Sequence, residues 1–89
     1  MIVRIMTEGQ YELDGDQLES LKHADEELLV TVRNNDAEGF RSHLAAALAV
    51  VRGGRPLHDS VLKESELVLP APDMTVSEAR RLFDEHQIL

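Results

Sequence analysis

The sequence has no cysteine and no tryptophan, and only two phenylalanines, one tyrosine and three prolines in 89 residues. Without cysteine there are no disulfides, no thiolate nucleophile and no Cys-based zinc site, a usage that fits a reducing compartment. With so few rings, Leu, Val, Ile and Ala must build the core, and 43% hydrophobic residues suffice for a thin one. Basic residues are also scarce: nine Lys and Arg stand against seventeen Asp and Glu, a formal charge of −8. Nucleic acids and anionic membrane surfaces are bound mainly through Lys and Arg, so this chain repels both and suits a basic protein partner better. It would meet a membrane only indirectly, through that partner.

Long apolar runs are missing too. The longest is the eight residues from Leu44 to Val51, against about 20 for a spanning helix. At the N-terminus Arg4 breaks the apolar run after three residues, Glu8 and Glu12 follow, and no Ala-x-Ala site appears. That is not the pattern of a secretory leader. These features predict one small acidic cytoplasmic domain over residues 1–89.

What is present reads as α+β. In MIVRIMTEGQYEL, the β-branched Ile2, Val3 and Ile5 precede Thr7-Glu8-Gly9, which suits a β-hairpin with strands over about 2–6 and 10–13. A loop ending on a left-handed Gly9 sets Ile5 opposite Tyr11 and Val3 opposite Leu13, with Arg4 facing Glu12 as a cross-strand pair. Asp14 or Asp16 can cap a helix over about 16–33, with Gln17 or Glu19 completing the capping box. Leu18, Leu21, Leu28, Leu29 and Val32 give its apolar spacing, interrupted by Asp25. Asn34-Asn35 makes a turn, Asp36 caps a second helix over about 37–52, and Phe40, Leu44, Ala47, Leu48 and Val51 form its stripe. Arg52 and Gly53-Gly54 end it. The two helices are expected as an antiparallel αα-hairpin. Arg55 to Ser65 reads as a polar connection, Glu66 to Leu69 as a short third strand closed by Pro70, and Thr75-Val-Ser-Glu78 as the capping box of a helix over about 76–86.

Catalytic patterns are hard to find. No GxSxG, GxxxxGK[ST], GxGxxG or HExxH occurs. Of the histidines His23, His43, His58 and His86, only His23 has a carboxylate one helical turn on, Glu27; a solvated His on an acidic helix is the ordinary reading of such a pair. A small metal-dependent hydrolase built on His23 and Glu27 is therefore the weakest alternative. No catalytic residue, metal ligand or cofactor is assigned.

The informative feature is charge distribution: Asp14 to Asp36 holds seven acidic and two basic residues, a net −5 of the total −8. Such a face serves solubility, and it also suits docking to a basic helix or groove. Candidate binding surfaces are the outer face of the first helix (Glu19, Asp25, Glu26), the hairpin edge around Arg4 and Glu12, and the tail Ile88-Leu89. The exposed hairpin edge also offers a route to a homodimer, the leading alternative.

Over nearly its whole length the chain resembles the PspAA family of small PspA-associated proteins. The stretches that carry the resemblance are MIVRIMTEGQYEL, LESLKHADEELL, FRSHLAAALAVV and SELVLPAPDMTVSEARRLF; the LLVTVRNN linker and the HDSVLKES loop depart from the family pattern. The resemblance implies a cytoplasmic bacterial accessory of the phage-shock, or membrane-stress, system, without catalytic residues. Its expected partner is PspA, a coiled-coil protein that coats and remodels damaged membrane.

Overall fold

A computed structural model describes residues 1–57 and 67–85. In chain order these form β1 (Ile2–Ile5), β2 (Gly9–Glu12), α1 (Gly15–Arg33), α2 (Ala37–Arg52), β3 (Arg55–Pro56), β4 (Leu67–Leu69) and α3 (Val76–Glu85). The arrangement is α+β, as the patterning predicts. His58, the expected strand start at Glu66, the expected helix end at His86 and the tail Ile88-Leu89 lie outside the described residues.

The strands form a four-stranded sheet in the order β3-β2-β1-β4. The hairpin is present, but its register differs from the expected one by two residues: Val3 faces Tyr11, Arg4 faces Gln10 and Ile5 faces Gly9. The loop is Met6-Thr7-Glu8, closed by the Glu8 N–H donating to the Ile5 carbonyl at 3.0 Å. Thr7 supplies the positive φ, 68°, that the tight turn needs, and Gly9 (φ 144°) opens β2 instead of ending the loop. A β-branched residue seldom takes that conformation, which is why the glycine is the natural but mistaken place to end the turn. A slip of two, unlike a slip of one, preserves which side chains share a face. Val3, Ile5 and Leu13 are accordingly buried, and the ladder runs on to a Met1–Leu13 backbone pair with bonds of 2.9 and 3.1 Å.

The expected Arg4–Glu12 pair is not formed. Glu12 is ion-paired with Arg55 on β3, and Arg4 stands opposite Gln10. Nor is the hairpin edge open. β4 runs parallel to β1 along Val3 to Ile5, and β3 flanks β2 at Tyr11 and Glu12. The sheet edges fall on strands of two and three residues, too short to template much pairing. Arg55-Pro56, read from sequence as plain connection, is thus an edge strand, where proline is tolerated.

Each helix starts where its cap dictates. Asp14 accepts from the Gln17 N–H at 2.8 Å while the Gln17 side chain accepts from the Asp14 N–H at 3.0 Å, a complete capping box. Asp36 accepts from the Gly39 N–H at 3.0 Å, and Thr75 with Glu78 forms a second reciprocal cap. Val30-Thr31-Val32 stays helical. Thr31 is buried and satisfies its hydroxyl on the Leu28 carbonyl at 2.6 Å.

Two polar contacts fix α1 and α2 antiparallel: Gln17 Nε2 donates to the Gly53 carbonyl at 2.8 Å, and Glu27 meets His43 Nδ1 at 3.1 Å. Between helices and sheet lies a continuous core of Val3, Ile5, Leu13, Leu21, Leu28, Phe40, Leu44, Leu48, Val51, Leu67, Leu69 and Ala79. Fully burying each large aliphatic or Phe side chain contributes roughly 1.5–3 kcal/mol. α3 closes the end of α1, with Arg80 donating to the Val32 carbonyl.

Candidate partner-binding surface

The α1 helix has two faces of opposite character. Leu21, Leu28 and Val32 recur at helical spacing and are buried against the rest of the fold. Asp16, Glu19, Lys22, His23, Glu26, Glu27 and Arg33 are exposed. Among them sits Val30, 47% exposed and the one large hydrophobic side chain so exposed among the described residues. The spacings from Glu19 to Glu26 and from Glu26 to Val30 place all three on one stripe. An apolar contact flanked by carboxylates is thereby offered outward. Val30 falls outside the helical spacing of Leu21, Leu28 and Val32, so the sequence pattern alone gives it no role.

Asp25 does not belong to that surface. It is 1% exposed and lies on the buried side of α1, one turn from both Leu21 and Leu28. The expectation that it faces outward is corrected: helical spacing overrides the charge of the side chain. Among the described residues neither of its carboxyl oxygens has a hydrogen-bond partner. Burial first, and the neighbouring Glu26 charge second, push the carboxyl up from its ordinary 3.8 to about 7.

The other candidates are scattered. Arg4 is exposed on β1 and Glu12 half-buried on β2, so neither adjoins the Glu19–Glu26–Val30 stripe in sequence or element. Glu12 is held instead by Arg55 on β3, and a separate acid–base contact ties the hairpin to the end of α2. In the hairpin loop, Glu8 accepts from Arg52 Nε at 2.9 Å and Nη2 at 2.6 Å, and from the Tyr11 hydroxyl at 2.8 Å. Arg52 first, and then Tyr11, hold the Glu8 carboxyl down at about 2, well below its ordinary 4.5. In the sequence Arg52 reads only as part of the end of the second helix.

His23 and Glu27 do not form the metal-binding pair considered from their spacing, because Glu27 turns to His43. Among the described residues no three His, Asp or Glu side chains converge on a point that would hold a metal ion. A groove of about 410 Å³ lies between the start of α2 and the segment Pro72 to Ser77, lined by Phe40, Leu44 and Val76 with Arg41 and Asp73 at its exposed margin. One exposed cation and one exposed carboxylate do not make an acid–base set walled off from water. No described helix is long and apolar enough to cross a membrane.

Against known families, the sequence model for PspAA, described as PspA-associated protein, matches residues 1–89. The chain belongs to the PspAA family. Comparison with curated proteins and with solved structures finds no match. Membership covers both the acidic α1 face and the hairpin, and the family's description points to PspA as the protein with which its members associate.

Proposed function

We propose that this PspAA protein is a non-enzymatic adaptor of a phage-shock-type membrane-stress response, binding a PspA-like coiled-coil partner through the outward face of α1. The observation that carries this reading is the stripe Glu19–Glu26–Val30: two exposed carboxylates and an exposed apolar side chain on one helical surface, in a chain whose family is described by association with PspA. A coiled coil with basic positions beside its seam is complementary to such a stripe. The carboxylates steer the approach and set the register, and Val30 adds apolar contact once water is expelled. Acting in the cytoplasm, the protein reaches the membrane by way of that partner, since a net charge of −8 opposes direct adsorption to anionic lipid.

The test is a light-scattering titration of the full chain with purified PspA at about 50 mM and about 300 mM salt, where the Debye length differs more than twofold. A complex at low salt that weakens at high salt is expected, as is at least about tenfold weaker binding for the Glu19→Lys/Glu26→Lys double variant. Absence of a complex at low salt, or one indifferent to both salt and the double variant, removes the reading.

A further inference from the structure

The group in this fold that its neighbours leave unexplained is Asp25. The spacing from Leu21 through Asp25 to Leu28 and Val32 is that of a buried helix stripe, and a leucine would continue it. Instead a carboxyl sits there, 1% exposed, with both oxygens unpartnered among the described residues. A buried carboxylate without hydrogen bonds or a counter-ion is among the costliest groups a fold can hold.

Among the described residues no charge neutralises it. On α1 the nearest influence is Glu26, which is of like sign. On α2, Arg52 is engaged with Glu8, His43 with Glu27, and Arg41 is exposed beside the groove, as Glu38 is on the first turn. On α3, Arg80 donates to the Val32 carbonyl, Arg81 lies near Glu78, and Asp84 is a further carboxylate. In the sheet Arg55 holds Glu12 and Arg4 is exposed. An ionised Asp25 regains solvation if α1 moves off its packing surface.

We infer that Asp25 is a protonation-controlled latch on α1: its neutral carboxyl allows the helix to stay packed, and ionisation, with the proton passing to water, favours local release of the helix from the core. Release breaks the Gln17–Gly53 and Arg80–Val32 contacts at the two ends of α1 and uncovers the Leu21–Leu28–Val32 stripe. With the carboxyl's titration displaced up to about 7, the bias toward release builds between 3.8 and about 7 and levels off above it. The inference is independent of which partner the outer face binds.

Native-state amide exchange on the full chain, corrected for intrinsic rates, reads the latch directly. If the released state titrates at the ordinary 3.8 and the packed state at about 7, the opening constant of α1 amides rises about 30-fold between about pH 5.5 and about pH 8. Asp25→Asn abolishes that rise, whereas His23→Gln and His43→Gln, which remove the two imidazoles of the helix pair, each preserve it. A rise unchanged in Asp25→Asn, one lost in His23→Gln or His43→Gln instead, or one shared equally by the β1 amides, which would signal whole-fold unfolding, overturns the latch. Carbon-13 titration of the wild-type Asp25 carboxyl decides the matter even if a variant fails to fold: a midpoint near 7 supports it, and one near the ordinary 3.8 overturns it.

Discussion

Replacing Gly54 with alanine tests how the helical hairpin is seated on the sheet. Gly54 follows α2 where the chain passes the end of β2, and a Cβ there would lie 2.5 Å from Leu13 Cδ2 and 2.7 Å from the Glu12 carbonyl oxygen. Neither neighbour yields easily: Leu13 is buried in the core, and the carbonyl belongs to the strand backbone. Overpacking of this kind costs roughly 1–3 kcal/mol. The alanine also stiffens the unfolded chain, which offsets about 0.4–1 kcal/mol, leaving a net loss of about 1–2 kcal/mol. For a domain this size that lowers Tm by roughly 5–15 °C. Thermal unfolding followed by far-UV circular dichroism measures it, with Gly53→Ala as control, since a Cβ at Gly53 meets nothing closer than 3.3 Å. A Gly54→Ala protein as stable as wild type, or no worse than Gly53→Ala, would refute the close approach of α2's end to β2.

Two further outcomes follow from the packing and from the titrations. Leu28→Ala removes a side chain with no exposed surface from the middle of the core and should lower the urea-unfolding free energy by about 2–5 kcal/mol; a loss under about 1 kcal/mol would place Leu28 outside a well-packed core. Glu8, held down at about 2 mainly by Arg52, contributes stability that is present above its ordinary 4.5 and is lost as pH falls from there toward 2. Glu8→Gln should therefore flatten the acid branch of the stability curve, and an unaltered branch would show the Arg52 contact to be energetically silent. Asp25 carries the opposite sign: its raised carboxyl disfavours the folded state progressively as pH rises from 3.8 to about 7, so the two groups narrow the stability optimum from opposite sides.

The elements legible in the sequence are those written in local chemistry. Asp14 with Gln17, Asp36, and Thr75 with Glu78 mark their helix starts because a capping side chain acts within three residues. The α2 stripe from Phe40 to Val51 is fixed by a 3.6-residue period and is buried as that period requires. What escaped is non-local or runs against propensity. The hairpin register turned on Thr7 adopting a conformation that glycine takes more readily. The Glu8–Arg52 contact joins residues 44 apart, and the parallel pairing of β4 with β1 crosses the whole helical hairpin; no local pattern encodes either. β3, two residues with a proline, is too short to carry an alternation. At the candidate surface, Glu19 and Glu26 were legible as exposed acids. Asp25 was misplaced because charge normally implies water, and Val30 was missed because an apolar residue normally implies burial.

Docking of a PspA-like coiled coil on the outward stripe of α1 is best mapped by amide chemical shifts. Isotope-labelled protein titrated with unlabelled PspA should show amide perturbations concentrated from Glu19 to Val30, with the β4 and α3 amides little changed. Perturbations confined to the sheet or to the groove beside Pro72, or none at saturating partner, would contradict it.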